Sequence, residues 1–256
     1  MKIDPDNDAG LSVQISEAIR EAIVSGKMDV DSRLPSEAEL AEQFDVSRPT
    51  IREALKRLAA QSLIRTQRGA FGGAFVRRLS YDEAEEQLIT TSTLLLSMNE
   101  ISFDTACEAR FALERSCAAL AVDRRTRASL DAMTREIGVQ GGAGLSDEDF
   151  CASDVAFHRA LVASAGNPVL TYQVASAIEA MQPLMNMITF TARSRAEIIG
   201  LHQALLDALE ARNAAAIVEH LASLEAYTKA LAHSVFEEKR SSRAARASDE
   251  QVSAPS

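Results

Sequence analysis

Only four histidines occur in the chain, His158, His202, His220 and His233, and three of them have a spacing that can do chemistry. Asp154 and His158 stand four residues apart, so on a helix both side chains point to one face. His202 lies about ten residues before a break at Arg212-Asn213, and His220 about seven after it. Two helices folded back antiparallel at that break bring the two imidazoles to nearly the same level. Asp154, His158, His202 and His220 can then converge inside a helical bundle. Three imidazoles and one carboxylate suit Zn, Ni, Mn or Fe(II) and leave coordination positions open. Each histidine can equally serve as a hydrogen-bonded core or surface residue. His233, near the end of the last helix, has no partner in the pattern and reads as surface.

Arg110 is the second unusual residue. Phe103, Ala106/Cys107, Leu113 and Cys117 trace an apolar helical stripe, and Arg110 falls inside it. A guanidinium does not lose its proton, so burying one requires an anion. Glu114, four residues on, can be that anion. A carboxylate ligand held by Arg110 beside a metal is the alternative. A metal-dependent hydrolase needs a general base as well as an ion. No HExxH motif and no spare Glu beside the four residues supplies one, which weighs against an enzyme. A sensor answering to the ion alone has no use for a buried guanidinium.

Composition bounds the rest. The chain has 256 residues, 46% of them hydrophobic and 25% charged, enough for a real core in one large or two modest domains. No apolar run approaches the roughly 18 residues of a membrane span. The acidic start Met1-Lys2-Ile3-Asp4-Pro5-Asp6 is no secretory signal. Three cysteines, Cys107, Cys117 and Cys151, lack CxxC spacing, read as buried small hydrophobes and fit a reducing cytoplasm. The net charge of −10 speaks against nucleic acid only as an average. Residues 1–78 carry 12 basic and 12 acidic residues. Within them, 46–78 holds Arg48, Arg52, Lys56, Arg57, Arg65, Arg68, Arg77 and Arg78 against one acid, Glu53, for a local charge of +7. That asymmetry is an electrostatic footprint for DNA on one module.

The elements around these residues follow from period and punctuation. Apolar residues over 10–27 recur at helical spacing and stop at Gly26. Ser36 with Glu39 makes a capping box for a helix over 37–44, and Ser47 caps a second, with Pro49 in its first turn. Leu63–Thr66 and Ala74–Arg77 read as strands joined by a Gly-rich tip. The order is a winged helix-turn-helix, whose second helix enters the major groove. Arg48 there can grip a guanine edge or a phosphate, and Ser47, Thr50 and Arg52 can bond phosphates. Arg33 and Ser36 before the first helix, and Arg68 and Gly69 at the wing, complete the candidate DNA-facing set. Residues 80–237 are helical throughout by period, near 82–98, 103–122, 126–139, 147–165, 167–190, 194–211 and 213–237. Pro183 should kink the fifth of these. Met181, Met185, Met187 and Thr189 on it are candidate pocket residues. Residues 239–256 show no period and read as a disordered tail.

The N-terminal pattern Leu34-Pro35-Ser36-Glu37-x-Glu39-Leu40-Ala41, then Val46-Ser47-Arg48-x-Thr50-Ile51-Arg52-Glu53-Ala54-Leu55, Leu58 and Leu63-Ile64, resembles the GntR family of bacterial transcription regulators. Members often carry a basic residue where Ala38 stands, so that DNA contact is missing, and the wing tip is longer and more apolar than usual. The second part resembles the FCD effector domain of the family's FadR subfamily. Its motifs are Glu108-Ala109-Arg110-x-x-Leu113-Glu114, Asp154-x-x-Phe157-His158, Ser164–Leu170, His202 and His220-Leu221, with Leu201 where an acidic residue is usual. The resemblance implies a mainly α protein: a winged helix-turn-helix over 1–78, an all-α antiparallel effector and dimerisation bundle over 79–238, and a tail over 239–256. It implies a divalent metal on Asp154, His158, His202 and His220, and a small carboxylate effector near Arg110 and Asn167. It further implies a cytoplasmic homodimer on a pseudo-palindromic double-stranded operator, as a repressor, with no membrane partner. Fatty acyl-CoA, the effector of regulators lacking this ligand set, is not expected.

Overall fold

The structure, a computed structural model, describes residues 9–69, 72–186 and 195–252, with side chains to residue 237. Within these the chain divides into two units, Met1–Glu83 and Ala84–Ser256.

In the first unit, helix α1 (Leu11–Val24) buries Ile15 and Ile19. The capping box forms as expected: Ser36 Oγ accepts the Glu39 N–H at 3.2 Å, and the Glu39 carboxylate accepts the Ser36 N–H at 2.7 Å. It starts α2 (Glu37–Phe44), which ends on Asp45 in the left-handed region at φ 53°. An Asp tolerates that region better than most residues. Ser47 Oγ accepts the Thr50 N–H and starts α3 (Arg48–Ala60). Strands β1 (Ile64–Gln67) and β2 (Gly73–Val76) pair antiparallel, Ile64 opposite Val76 and Gln67 opposite Gly73. The first strand begins one residue later than expected. The Leu63 N–H still bonds the Leu58 carbonyl at 3.0 Å, closing the end of α3. The segment before α2 lies along β2, with the Leu34 N–H on the Ala74 carbonyl at 2.8 Å. Ile15, Ile19, Leu40, Phe44, Ile51, Leu58, Ile64 and Val76 form the core of this unit. The unit reaches Glu83, past residue 78, because Ser80 and Glu83 cap each other's backbone and Glu83 pairs with Arg77.

Helices α4 (Tyr81–Ser97), α5 (Phe103–Arg124), α6 (Arg127–Gln140), α7 (Asp147–Ala163), α8 (Pro168–Ala180), α9 (Arg195–Glu210) and α10 (Ala214–Val252) follow. Ser102, Thr126, Ser146 and Asn167 cap four of them. In the bundle α5 packs on α10, α8 and α7, α6 on α7, and α9 on α6 and α10. Phe111, Phe157, Met133, Leu161, Ile178 and Leu205 are among the side chains at its centre. Met181 and Met185 belong to this core, while Met187 and Thr189 lie outside the described residues.

Three expectations change. The fifth bundle helix is interrupted rather than kinked: α8 stops at Ala180 and residues 182–186 begin a new helical stretch. Pro183 cannot donate to the carbonyl four residues back, so the ladder breaks there. The last helix continues to Val252, through most of the stretch expected to be disordered. Residues 239–252 lack an apolar period, but they hold no Gly or Pro and include three Ala and three Arg, both good helix formers. His233 does have a partner, Asp104 at 2.9 Å, which α5 presents from far along the sequence. Among the described residues, no helix is long and apolar enough to cross a membrane.

Candidate functional site

Helix α7 carries Asp154 and His158 one turn apart, and α9 brings His202 to them. One ligand atom from each lies within 4.8 Å of the others, and all three residues are buried. His202 Nε2 stands 3.4 Å from Asp154 Oδ1. The opposite nitrogen of each ring is occupied. His158 Nδ1 is 2.6 Å from Glu114 Oε2, and His202 Nδ1 is 2.8 Å from Gln140 Oε1. Each Nδ1 is thus held by an outer oxygen, the arrangement in which carboxyl and amide oxygens orient metal-binding imidazoles through the other ring nitrogen. The Phe157 ring stacks on His202 at 4.0 Å and meets His158 edge-on at 5.6 Å, which fixes both ring planes. Two imidazoles and a carboxylate, backed by Glu114 and Gln140, fit a first-row divalent ion.

Arg110 and Glu114 lie on α5 against this cluster. The guanidinium is 3% exposed, and its Nε donates to Glu114 Oε1 at 2.7 Å. The partner four residues on is thus the one formed. Burial pushes the Glu114 carboxyl up, but His158 and Arg110 outweigh it and hold it at about 2. For Arg110, burial acts to lower the pKa and is outweighed by Glu114 and Asp154, so the pKa is raised. Arg110 thus feels both carboxylates, and Arg110, Glu114 and His158 form one buried chain of contacts leading to the cluster. The sequence pattern links Glu114 to Arg110 only, because the contact with His158 spans 44 residues.

Two further expected site residues lie as follows. His220, on α10, is half-buried and does not join the three-residue cluster within that 4.8 Å distance. Asn167 follows the end of α7, and its Oδ1 accepts the Val169 and Leu170 N–H groups at 3.1 and 3.4 Å. It caps α8. Gln140, 2% exposed on the last turn of α6, was not foreseen. It sits 62 residues from His202, and nothing local marks it.

On the first unit, Arg48 is exposed at the first position of α3. Ser47 and Thr50 hydroxyls lie 2.8 Å apart beside it. Ser36 Oγ caps α2. Gly69, at φ 107°, opens the wing turn, and its carbonyl accepts the Gly72 N–H at 2.9 Å. A Cβ on Gly72 would stand 2.4 Å from the Gln67 carbonyl, so this close turn requires glycine. Ala70 and Phe71 lie outside the described residues. The basic segment is less positive than its sequence. Arg52 pairs with Glu37 at 2.7 Å, Arg65 and Arg78 with Asp31 at 3.9 and 3.4 Å, Lys56 with Glu53 at 2.7 Å, and Arg77 with Glu83. Arg33, Arg48, Arg57 and Arg68 are the cations of 31–78 with no ion pair among the described residues.

Comparison with known proteins agrees with both halves. Residues 11–76 match the model of the bacterial regulatory proteins, gntR family, and residues 105–226 match the FCD domain. The galactonate operon transcriptional repressor of Escherichia coli is 30% identical over 189 residues, 73% of this chain and 81% of its own. The HTH-type transcriptional regulator LutR of Bacillus subtilis is 27% identical over 212 residues, 79% of this chain and 94% of its own. Among solved structures, Streptococcus agalactiae GntR superposes with a TM-score of 0.53 at 21% identity, covering 87% of this chain and 99% of that one.

Proposed function

The chain belongs to the GntR family of bacterial regulatory proteins and carries an FCD domain, so it is a DNA-binding transcription regulator and not an enzyme, and we propose that a small organic acid bound at a metal site in its helical unit sets its operator affinity. The observation that carries this reading is the buried Asp154, His158 and His202 cluster with the Arg110–Glu114 pair against it. Asp154, His158 and His202 would hold a divalent ion, Zn, Ni, Mn or Fe, with His220 on α10 as the fourth donor. Such an ion, when bound, supplies Lewis acidity that attracts an oxygen ligand. Arg110 supplies a permanent positive charge for the acid's second oxygen, and Glu114 keeps that charge oriented. The E. coli relative is named for galactonate, a hydroxy-carboxylate, and that class fits an ion beside a guanidinium.

On the DNA side, Arg48 reads or grips the major groove from the start of α3. Ser47, Thr50 and Arg52 bind phosphates, Arg52 by sharing its exposed pair with Glu37. Arg33, Ser36, Arg68 and Gly69 border the same face. Two heads are needed to read two half-sites, so the protein acts as a homodimer on a pseudo-palindromic operator. It is a repressor released by the acid, which must favour one arrangement of the heads over another.

The test is a mobility-shift titration of the full chain on DNA upstream of its own gene, with zinc constant and galactonate or lactate varied. A specific, salt-sensitive shift that the acid reverses is expected; no specific shift by a folded dimer would refute the reading. His158→Ala is expected to keep the shift and lose both metal and acid response. The alternative is a regulator for which the ion is the signal. A response to zinc with no further response to any acid would favour it.

A further inference from the structure

Gln140 is buried to 2% exposure at the end of α6, yet its two amide atoms are treated differently. Oε1 lies 2.8 Å from His202 Nδ1, while Nε2 is buried with no hydrogen-bond partner among the described residues. A buried amide nitrogen without an acceptor is costly and uncommon in folded proteins. The opposite orientation would place the amide nitrogen on the imidazole and leave the oxygen unpartnered, the less unusual condition. The observed orientation is required when Nδ1 carries the ring hydrogen, because an amide oxygen only accepts. In that neutral tautomer Nε2 is the lone-pair nitrogen of the His202 ring, and it is this atom that stands 3.4 Å from Asp154 Oδ1 in the cluster.

We propose that Gln140 is the positioning residue of His202: it accepts the Nδ1 hydrogen and so holds the tautomer whose Nε2 can take a metal. The inference rests on the metal reading of the cluster. Glu114 does the same for His158 with a full charge. The two imidazoles therefore have unlike supports, a carboxylate behind one and a neutral amide behind the other. The unpartnered Gln140 NH2 group is a consequence of that assignment rather than a packing defect.

The experiment has two readouts on the full chain. Zinc affinity is measured by chelator competition for wild type, Gln140→Leu and Gln140→Glu. The ring hydrogen of His202 is located by long-range proton–nitrogen NMR on metal-free protein at alkaline pH, with signals assigned against His202→Gln. Wild type is expected to carry the hydrogen on Nδ1. Gln140→Leu is expected to lose about 10- to 100-fold in zinc affinity and to show a mixed tautomer. Gln140→Glu, which can still accept, is expected to stay near wild type in both. A folded Gln140→Leu with wild-type zinc affinity would overturn the proposal, and so would a wild-type ring carrying its hydrogen on Nε2. If Gln140→Leu does not fold, the wild-type tautomer and the Glu variant decide. If wild type takes up no zinc the metal reading fails, and the tautomer, which needs no metal, still decides on Gln140.

Discussion

Replacing Glu114 by Gln changes almost no volume and removes one charge, which makes its effect calculable. The side chain is fully buried and lies between Arg110 Nε at 2.7 Å and His158 Nδ1 at 2.6 Å. Removing one partner of a buried ion pair leaves the other charge uncompensated, at about 3–5 kcal/mol. A second route gives a similar figure. A carboxyl held at about 2 instead of its ordinary 4.5 adds about 3 kcal/mol to stability once it is ionised in both states. Because the folded value is the lower one, this contribution is present above pH 4.5 and is lost as pH falls towards 2. Glu114→Gln is therefore expected to lower the stability of the metal-free protein by about 3–5 kcal/mol at pH 7. Its deficit should shrink as both proteins are acidified through that window. The assay is urea unfolding followed by far-UV circular dichroism across pH, on proteins stripped of metal. A loss under about 1 kcal/mol at neutral pH, or a deficit that grows on acidification, would refute the view that Glu114 is an ionised support for Arg110 and His158.

Arg48→Ala is expected to weaken operator binding by about 1–3 kcal/mol, read by mobility shift at fixed salt, with zinc uptake unchanged. Gly72→Ala is expected to open the wing, since the new Cβ meets the Gln67 carbonyl at 2.4 Å; the readout is reduced operator affinity with an unaltered helical spectrum. Burial pushes the Cys107 and Cys117 thiols up to about 11. At pH 8 neither should react with a thiol reagent until the protein is unfolded, whereas rapid labelling of the native chain would contradict their burial.

The caps and tight turns were legible because they are made by residues close in sequence. Ser36 with Glu39, Ser47 with Thr50, and Arg110 with Glu114 all act within four positions. The same holds for Asp154 and His158, whose shared face follows from helical period alone. Pro183 marks a break because it has no N–H to donate to the carbonyl four residues back. The helix over 239–252 carries no apolar period, and the absence of Gly and Pro lets it continue from the bundle.

From the sequence alone followed the two modules, the helix-turn-helix order, the concentration of positive charge in the first, and the set of side chains able to hold a metal. Only the tertiary structure decided how those groups are used. It placed Glu114 behind His158 from 44 residues away and Gln140 behind His202 from 62, and made Asn167 the cap of α8. It also paired Arg52, Arg65, Arg77 and Arg78 with acids outside their own segment, leaving fewer free cations than the sequence count. The reason is physical. Capping and helical period act over a few residues and are written in order along the chain, whereas ion pairing and imidazole orientation depend on how each helix is rotated when the core closes.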